Sequence, residues 1–152
     1  MDDEGKELDF QGIYCLMTNG ELILLDSISR PNGIGISPDG NVLYVANSDP
    51  ENAAWYQYKI SEPGKVSDKK LFYEVTELIG KEGQQGLPDG LKINSNGTLF
   101  ATGPGGVWIF NPKGKALARI HTGQATANCA FDSEEKRLYI TADDFIMAVD
   151  LE

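Results

Sequence analysis

Arg30-Pro31-Asn32-Gly33-Ile34-Gly35-Ile36 has a near copy later in the chain, Leu87-Pro88-Asp89-Gly90-Leu91-Lys92-Ile93. Each copy sets an oxygen-bearing side chain, Asn32 or Asp89, between a Pro and a Gly, just ahead of an alternating apolar run that reads as a strand. The match extends past both copies. Ser37-Pro38-Asp39-Gly40 and Asn94-Ser95-Asn96-Gly97 are turn tetrapeptides closing on Gly, and each leads into a second apolar stretch, Val42 to Ala46 or Thr98 to Thr102. The same hairpin is therefore written twice. A third, looser copy runs through Asn128-Cys129-Ala130-Phe131, the polar turn Asp132-Ser133-Glu134-Glu135 and Leu138-Tyr139-Ile140-Thr141. In that register Ala127 stands where Asn32 and Asp89 stand, so the third copy lacks the polar side chain. Spacings of roughly forty to sixty residues, with several strands in each, are those of propeller blades.

The rest of the chain fits around these hairpins. Phe10 to Met17, the turn Thr18-Asn19-Gly20 and Leu22 to Asp26 read as a further hairpin, the outer two strands of a blade whose inner strands are missing. After Ala46 a polar loop leads to the aromatic strand Trp55 to Ile60, a Pro63-Gly64 turn and a last strand around Lys70 to Tyr73. Glu74 to Gly80 reads as one short helical turn, broken by Gly83, Gly86 and Pro88. In Gly103-Pro104-Gly105-Gly106 the glycines leave the backbone free to bend or to approach a ligand. A phosphate cradle is a weak alternative there, because the next element, Val107 to Phe110, is a strand and no Lys-Ser/Thr is present. Ala116 to His121 and Phe145 to Leu151 complete the strands. The expectation is all-β, a partial β-propeller of about three blades over 1–152. Its segments are 1–29 (outer strands of one blade), 30–86 (a blade), 87–125 (a blade) and 126–152 (a partial blade).

Composition excludes several functions. A net charge of −10 over 152 residues argues against nucleic acid and anionic membrane surfaces as partners. No stretch is apolar enough to span a membrane as a helix. The acidic start, Met1 to Glu7, has neither the basic nor the apolar part of a signal peptide, so the default expectation is a cytoplasmic location, with a periplasmic or secreted one if a segment precedes it. Cys15 and Cys129 stand in apolar strand contexts and read as buried free thiols. With neither a Cys-x-x-Cys nor a Cys/His cluster, a thiolate metal site is not expected.

The residues resemble the SMP-30/gluconolactonase/LRE-like family of six-bladed propellers. The resemblance is carried by Arg30 to Ile34 with Ser37-Pro38-Asp39-Gly40 and Leu43 to Asn47, by Gly86 to Leu91, and by Ala101 to Trp108. It closes with Gly123 to Phe131 and Leu138 to Ala142. It covers essentially the whole chain and is closest to bacterial gluconolactonase-type members. Asp132-Ser133 replaces the two glycines that often come after the Phe of the closing piece, a small departure in a turn. The resemblance implies lactone hydrolysis with one divalent cation, commonly Ca2+, with Zn2+ or Mg2+ as other candidates, in the central tunnel. Of its four protein ligands it implies Asn32 and Asp89 here, whereas the regions holding the other two, a Glu and an Asn, would lie upstream of Met1. The chain then corresponds to the C-terminal half of a propeller. Its expected partners are a small lactone substrate and either a second copy of the chain or the missing N-terminal half.

These residue types suit that chemistry. Ca2+ prefers hard oxygen ligands, six to eight of them. An Asn carbonyl and an Asp carboxylate on adjacent inner strands supply two, and Asp89 could in addition act as a general base. The competing readings are that Pro-Asn-Gly and Pro-Asp-Gly are plain turns, that the segment is a non-catalytic, self-associating propeller fragment, or that it serves metal-dependent organophosphate hydrolysis. His121 reads as a strand end, Trp55 and Trp108 as packing residues, and Asp143-Asp144 as a solvated turn.

Overall fold

The computed structural model describes residue 5 and residues 7–151; Met1–Glu4 and Lys6, which carry most of the acidic start weighed as a signal peptide, lie outside the described residues. Thirteen strands form four antiparallel sheets in chain order. The first is the hairpin β1 (Gly12–Leu16) and β2 (Leu22–Ser27). The second holds β3 (Pro31–Ile36), β4 (Val42–Asn47), β5 (Ala54–Glu62) and β6 (Lys65–Glu74). The third holds β7 (Leu91–Ile93), β8 (Leu99–Gly103), β9 (Gly106–Phe110) and β10 (Ala116–His121), and the last β11 (Thr126–Phe131), β12 (Arg137–Ala142) and β13 (Phe145–Asp150). Every sheet is a meander, each strand pairing with the next, as in a propeller blade. The first strands of successive blades are neighbours: β3 meets β7, and β7 meets β11.

Burial follows the period of two. Along β4, Tyr44 and Ala46 enter a core with Trp55, Phe72, Leu91, Leu99 and Trp108, while Leu43 and Val45 enter another with Ile13 and Tyr58. Along β8, Leu99 and Ala101 face that first core, and Phe100 faces Cys129, Leu138 and Ile140. Strands packed on both faces need apolar residues at every position, which is why β4 and β8 read as unbroken apolar runs. β12 alternates instead: Leu138, Ile140 and Ala142 are buried while Arg137, Tyr139 and Thr141 are exposed, so the last sheet is covered on one face. The aromatic side chains Trp55, Phe72, Tyr73, Trp108 and Phe110 pack between the two complete blades with centroids 5.0 to 6.3 Å apart.

Three details differ from the sequence expectations. β6 begins at Lys65 rather than near Lys70, because it is the outermost strand of its blade, where Ser67 to Lys70 face solvent and leave no alternation to read. Cys15 is half-buried, not buried, since only one face of its two-stranded sheet is packed; Cys129 is buried, and both thiols are free. The Gly103–Gly106 stretch is the β8–β9 hairpin turn, and its glycines serve packing: a Cβ on Gly103 would lie 2.7 Å from the Trp55 ring, and one on Gly106 2.0 Å from the Ile120 carbonyl oxygen. The helical turn expected after Glu74 is a single 3-10 turn, Thr76–Leu78. Asp143 and Asp144 form the solvated turn between β12 and β13.

Candidate metal centre

The inner strands position the two repeated polar residues by the same device. In β3, Pro31 pairs with Asn47 and Ile34 with Val45, so β3 carries one residue more than its partner between these pairs: a bulge at Asn32-Gly33. In the next blade Leu91 pairs with Ala101, the Asp89 amide donates to the Thr102 carbonyl (3.0 Å), and the Thr102 amide donates to the Gly90 carbonyl (2.9 Å). The third blade shifts register between Thr126 and Asn128, at Ala127. A bulge turns its extra side chain out of the pleat, and this one lies at the same end of all three inner strands.

The bulges are in close contact. The Gly90 amide donates to the Ala127 carbonyl at 2.8 Å, and the Thr102 hydroxyl lies 2.9 Å from the Gly90 carbonyl and 3.1 Å from that of Ala127. Between the first two blades the fit is tighter: a Cβ on Gly33 would lie 2.0 Å from the Asp89 carbonyl oxygen. Glycine is required there for the approach of the strands, not for turn geometry. This approach brings together the two side chains singled out from the sequence. Asn32 is exposed and hydrogen-bonds to Asp89, which is half-buried. Burial raises the carboxyl of Asp89 above the ordinary Asp range, only partly offset by the Gly90 amide and the Asn32 side chain. No Lys, Arg or His is ion-paired with Asp89 among the described residues.

A groove of about 340 Å3 opens beside Asp89, walled by Gly86, Leu87, Ala125, Thr126 and Asp143. A larger groove of about 520 Å3 lies elsewhere, between the first hairpin and β3, and is bounded chiefly by Tyr14, Leu25, Ile34, Ile36 and Leu43. It contains neither Asn32 nor Asp89 and is the uncovered flank of a blade.

Two residues of the site are not singled out by the sequence. Asn47, fully buried, accepts from the Arg30 amide at 2.8 Å and donates to the Asn52 carbonyl at 2.8 Å, which holds the entry to β3. Ser48 accepts from Asn32 Nδ2 at 3.0 Å and donates to the Pro88 carbonyl, so it spans the two blades. The one signal pointing to them is an Asn ending an otherwise apolar run, Val42 to Asn47. His121, exposed at the end of β10, accepts from Arg119 Nε at 3.1 Å and takes no part in the site.

The donor set discriminates between cation classes. Among the described residues no three His, Cys, Asp or Glu side chains converge on a point. Asn32 and Asp89 offer oxygen alone, which fits a hard cation of the Ca2+ or Mg2+ kind and lacks the thiolate or imidazole that Zn2+ selects. A half-desolvated carboxylate without a cationic neighbour is compatible with such an ion.

The family model for the SMP-30/gluconolactonase/LRE-like region matches residues 1–144. The gluconolactonase of Zymomonas mobilis is 36% identical over 147 residues, covering 95% of this chain and 41% of that protein. The L-arabinolactonase of Azospirillum brasilense is 30% identical over 150 residues, covering 93% of this chain and 47% of that protein. Among solved structures, a gluconolactonase of Xanthomonas campestris matches with a TM-score of 0.83 at 28% identity, covering 96% of this chain and 46% of that one. The chain thus spans less than half the length of these relatives.

Proposed function

The chain belongs to the SMP-30/gluconolactonase/LRE-like family, and from that membership we propose that it serves the hydrolysis of a sugar lactone at a centre where Asn32 Oδ1 and the Asp89 carboxylate hold a divalent cation, Ca2+ foremost. The observation that supports the reading is the meeting of these two side chains at adjacent bulges, beside a groove, with no cationic side chain paired to Asp89. When bound, such an ion polarises the lactone carbonyl and stabilises the negative charge that develops on its oxygen.

The chain's own residues then have these tasks. Leu87 and Ala125 to Ala127 flank the groove and limit how water and the lactone ring lie against Asp89. In the hydrolysis, the water oxygen bonds to the carbonyl carbon, the ring C–O bond breaks, and one proton passes from the water to the ring oxygen, giving the hydroxy acid. Asp89 is the group positioned to accept that proton and return it.

The test is acid release from gluconolactone and L-arabinolactone, with Ca2+ and after chelation, by the chain and by Asp89→Asn. With two protein donors, cation affinity is expected near millimolar, the weak end of oxygen-ligand sites, and turnover slight. Asp89→Asn removes charge and basicity at nearly constant volume and should abolish both. Turnover that survives chelation and Asp89→Asn alike would reject the reading.

A further inference from the structure

Resting on that reading, we propose that Ser48 is the positioning residue that decides which end of the Asn32 amide faces the site. Asn32 can act as an oxygen ligand only if Oδ1, not Nδ2, points inward, and an amide has no intrinsic preference between the two orientations. Ser48 removes the ambiguity through a chain of donors and acceptors. A carbonyl oxygen can only accept, so the Pro88 carbonyl takes the single hydroxyl proton of Ser48. The Ser48 oxygen is then an acceptor toward Asn32, and only Nδ2 can meet it, at 3.0 Å. Oδ1 is left on the opposite side, without a protein partner among the described residues.

The anchor is itself held. The Ser48 amide donates to the Arg30 carbonyl at 2.8 Å, and the neighbouring Asn47 side chain accepts from the Arg30 amide, so residues 30, 32 and 48 form one hydrogen-bonded unit. The equivalent positions of the other blades show that this is not a general tie between blades. Val45, Ala101 and Ile140 pair with Ile34, Leu91 and Cys129; three residues beyond each stand Ser48, Pro104 and Asp143. Pro104 has neither a hydroxyl nor an amide proton. The hydroxyl bridge therefore occurs only beside the one repeat that carries an amide at the bulge.

The experiment compares wild type, Ser48→Ala, Ser48→Thr, which keeps the hydroxyl, and Ser95→Ala, which breaks a different bond between blades (Ser95 Oγ to Glu135, 2.6 Å) far from the site. Two quantities are read: Ca2+ affinity by titration calorimetry, and the side-chain amide signals of Asn32 by NMR, with nuclear Overhauser contacts from its Hδ2 protons to the Ser48 methylene. The expected result is a tenfold or larger loss of Ca2+ affinity in Ser48→Ala, the usual effect of removing a group that orients a ligand. The Asn32 amide contact disappears with it, Ser48→Thr restores both, and Ser95→Ala leaves both as in wild type. Wild-type affinity in Ser48→Ala, or a wild-type Asn32 amide with no contact to Ser48, overturns the proposal. If wild type binds no Ca2+, the cation reading fails by itself, and the amide contact still decides whether Ser48 orients Asn32; that measurement needs only the wild-type chain.

Discussion

Gly33→Ala tests the contact on which the site depends. A Cβ at this position would lie 2.0 Å from the Asp89 carbonyl oxygen, 2.9 Å from its carbonyl carbon and 3.0 Å from Gly90 Cα. The closest ordinary carbon–oxygen approach is about 3.3 Å, so β3 and the Asp89-Gly90 bulge would have to part by more than an ångström. All three atoms belong to the backbone, and no rotamer change can relieve the clash. Overpacking of this kind costs about 1–3 kcal/mol and sometimes more. The upper end is expected, because the Asp89-Gly90 backbone is also bonded to Thr102 and Ala127. For a chain of this length 1 kcal/mol moves Tm by about 2–4 °C, which puts the loss at roughly 6–12 °C. Gly40→Ala is the control. Gly40 has φ +75 and open space for 4 Å around the point where a methyl would stand, so an alanine there meets only the left-handed backbone penalty, about 1–2 kcal/mol. Thermal and urea unfolding of both variants separates clash from conformation. If Gly33→Ala is no less stable than Gly40→Ala, the inner strands are not as close as described, and the meeting of Asn32 with Asp89 falls with them.

The Asp26 carboxylate accepts from the Tyr58 hydroxyl at 2.9 Å and pairs with Lys69 at 2.8 Å, tying the first hairpin to β5 and β6; burial opposes its charge, but these partners outweigh it and its carboxyl lies below the ordinary Asp range. A lowered folded-state value gives stability that is present above the unfolded value, about 3.9, and lost as pH falls through the folded one, so the urea-midpoint gap between wild type and Asp26→Asn should close between pH 5 and about 2; a constant gap would refute the clamp. Burial pushes the Cys129 thiol up to about 11, so iodoacetamide at pH 8 should label half-buried Cys15 in the native protein and Cys129 only after unfolding; equal labelling by mass spectrometry would mean that the core beside β11 is open. We also propose that the chain self-associates head to tail, joining Leu22 (62% exposed) and Ile36 (56%) at one end to Phe145 (53%) and Ile146 (81%) at the other; sedimentation that shows a monomer up to 100 micromolar, a limit set at roughly the range of weak interfaces, would exclude it, and Ile36→Glu should dissociate the dimer.

The parts of this fold that are legible in the sequence are those where one physical rule decides a residue by itself. Turn tetrapeptides ending in Gly locate the hairpins, and the unbroken runs of β4 and β8 follow from burial on both faces. β6 is only half legible, because an outermost strand with solvent-facing Ser67 to Lys70 carries no periodicity, and its start is set by pairing with β5. Gly103 reads as a flexible point, but its cause is the Trp55 ring in the neighbouring blade, a contact between residues far apart in the chain. Asn32 and Asp89 can be found because they recur in register. Ser48 cannot, since its partner belongs to the following blade and the equivalent residues are Pro104 and Asp143. The glycine after each bulge shows the same dependence on the neighbour. Gly33 makes room for the Asp89 carbonyl, and Gly90 makes room for Asn128, whose Oδ1 would lie 2.3 Å from a Cβ there. Each glycine thus answers to the blade that follows it. β11 has no following blade among the described residues, and in its bulge Asn128 keeps a side chain, which turns back to accept from Lys92 Nζ at 3.3 Å. A pattern of Gly, Gly and Asn that looks in the sequence like decay of a repeat is, in the structure, the difference between a bulge that must admit a neighbour and one that meets none.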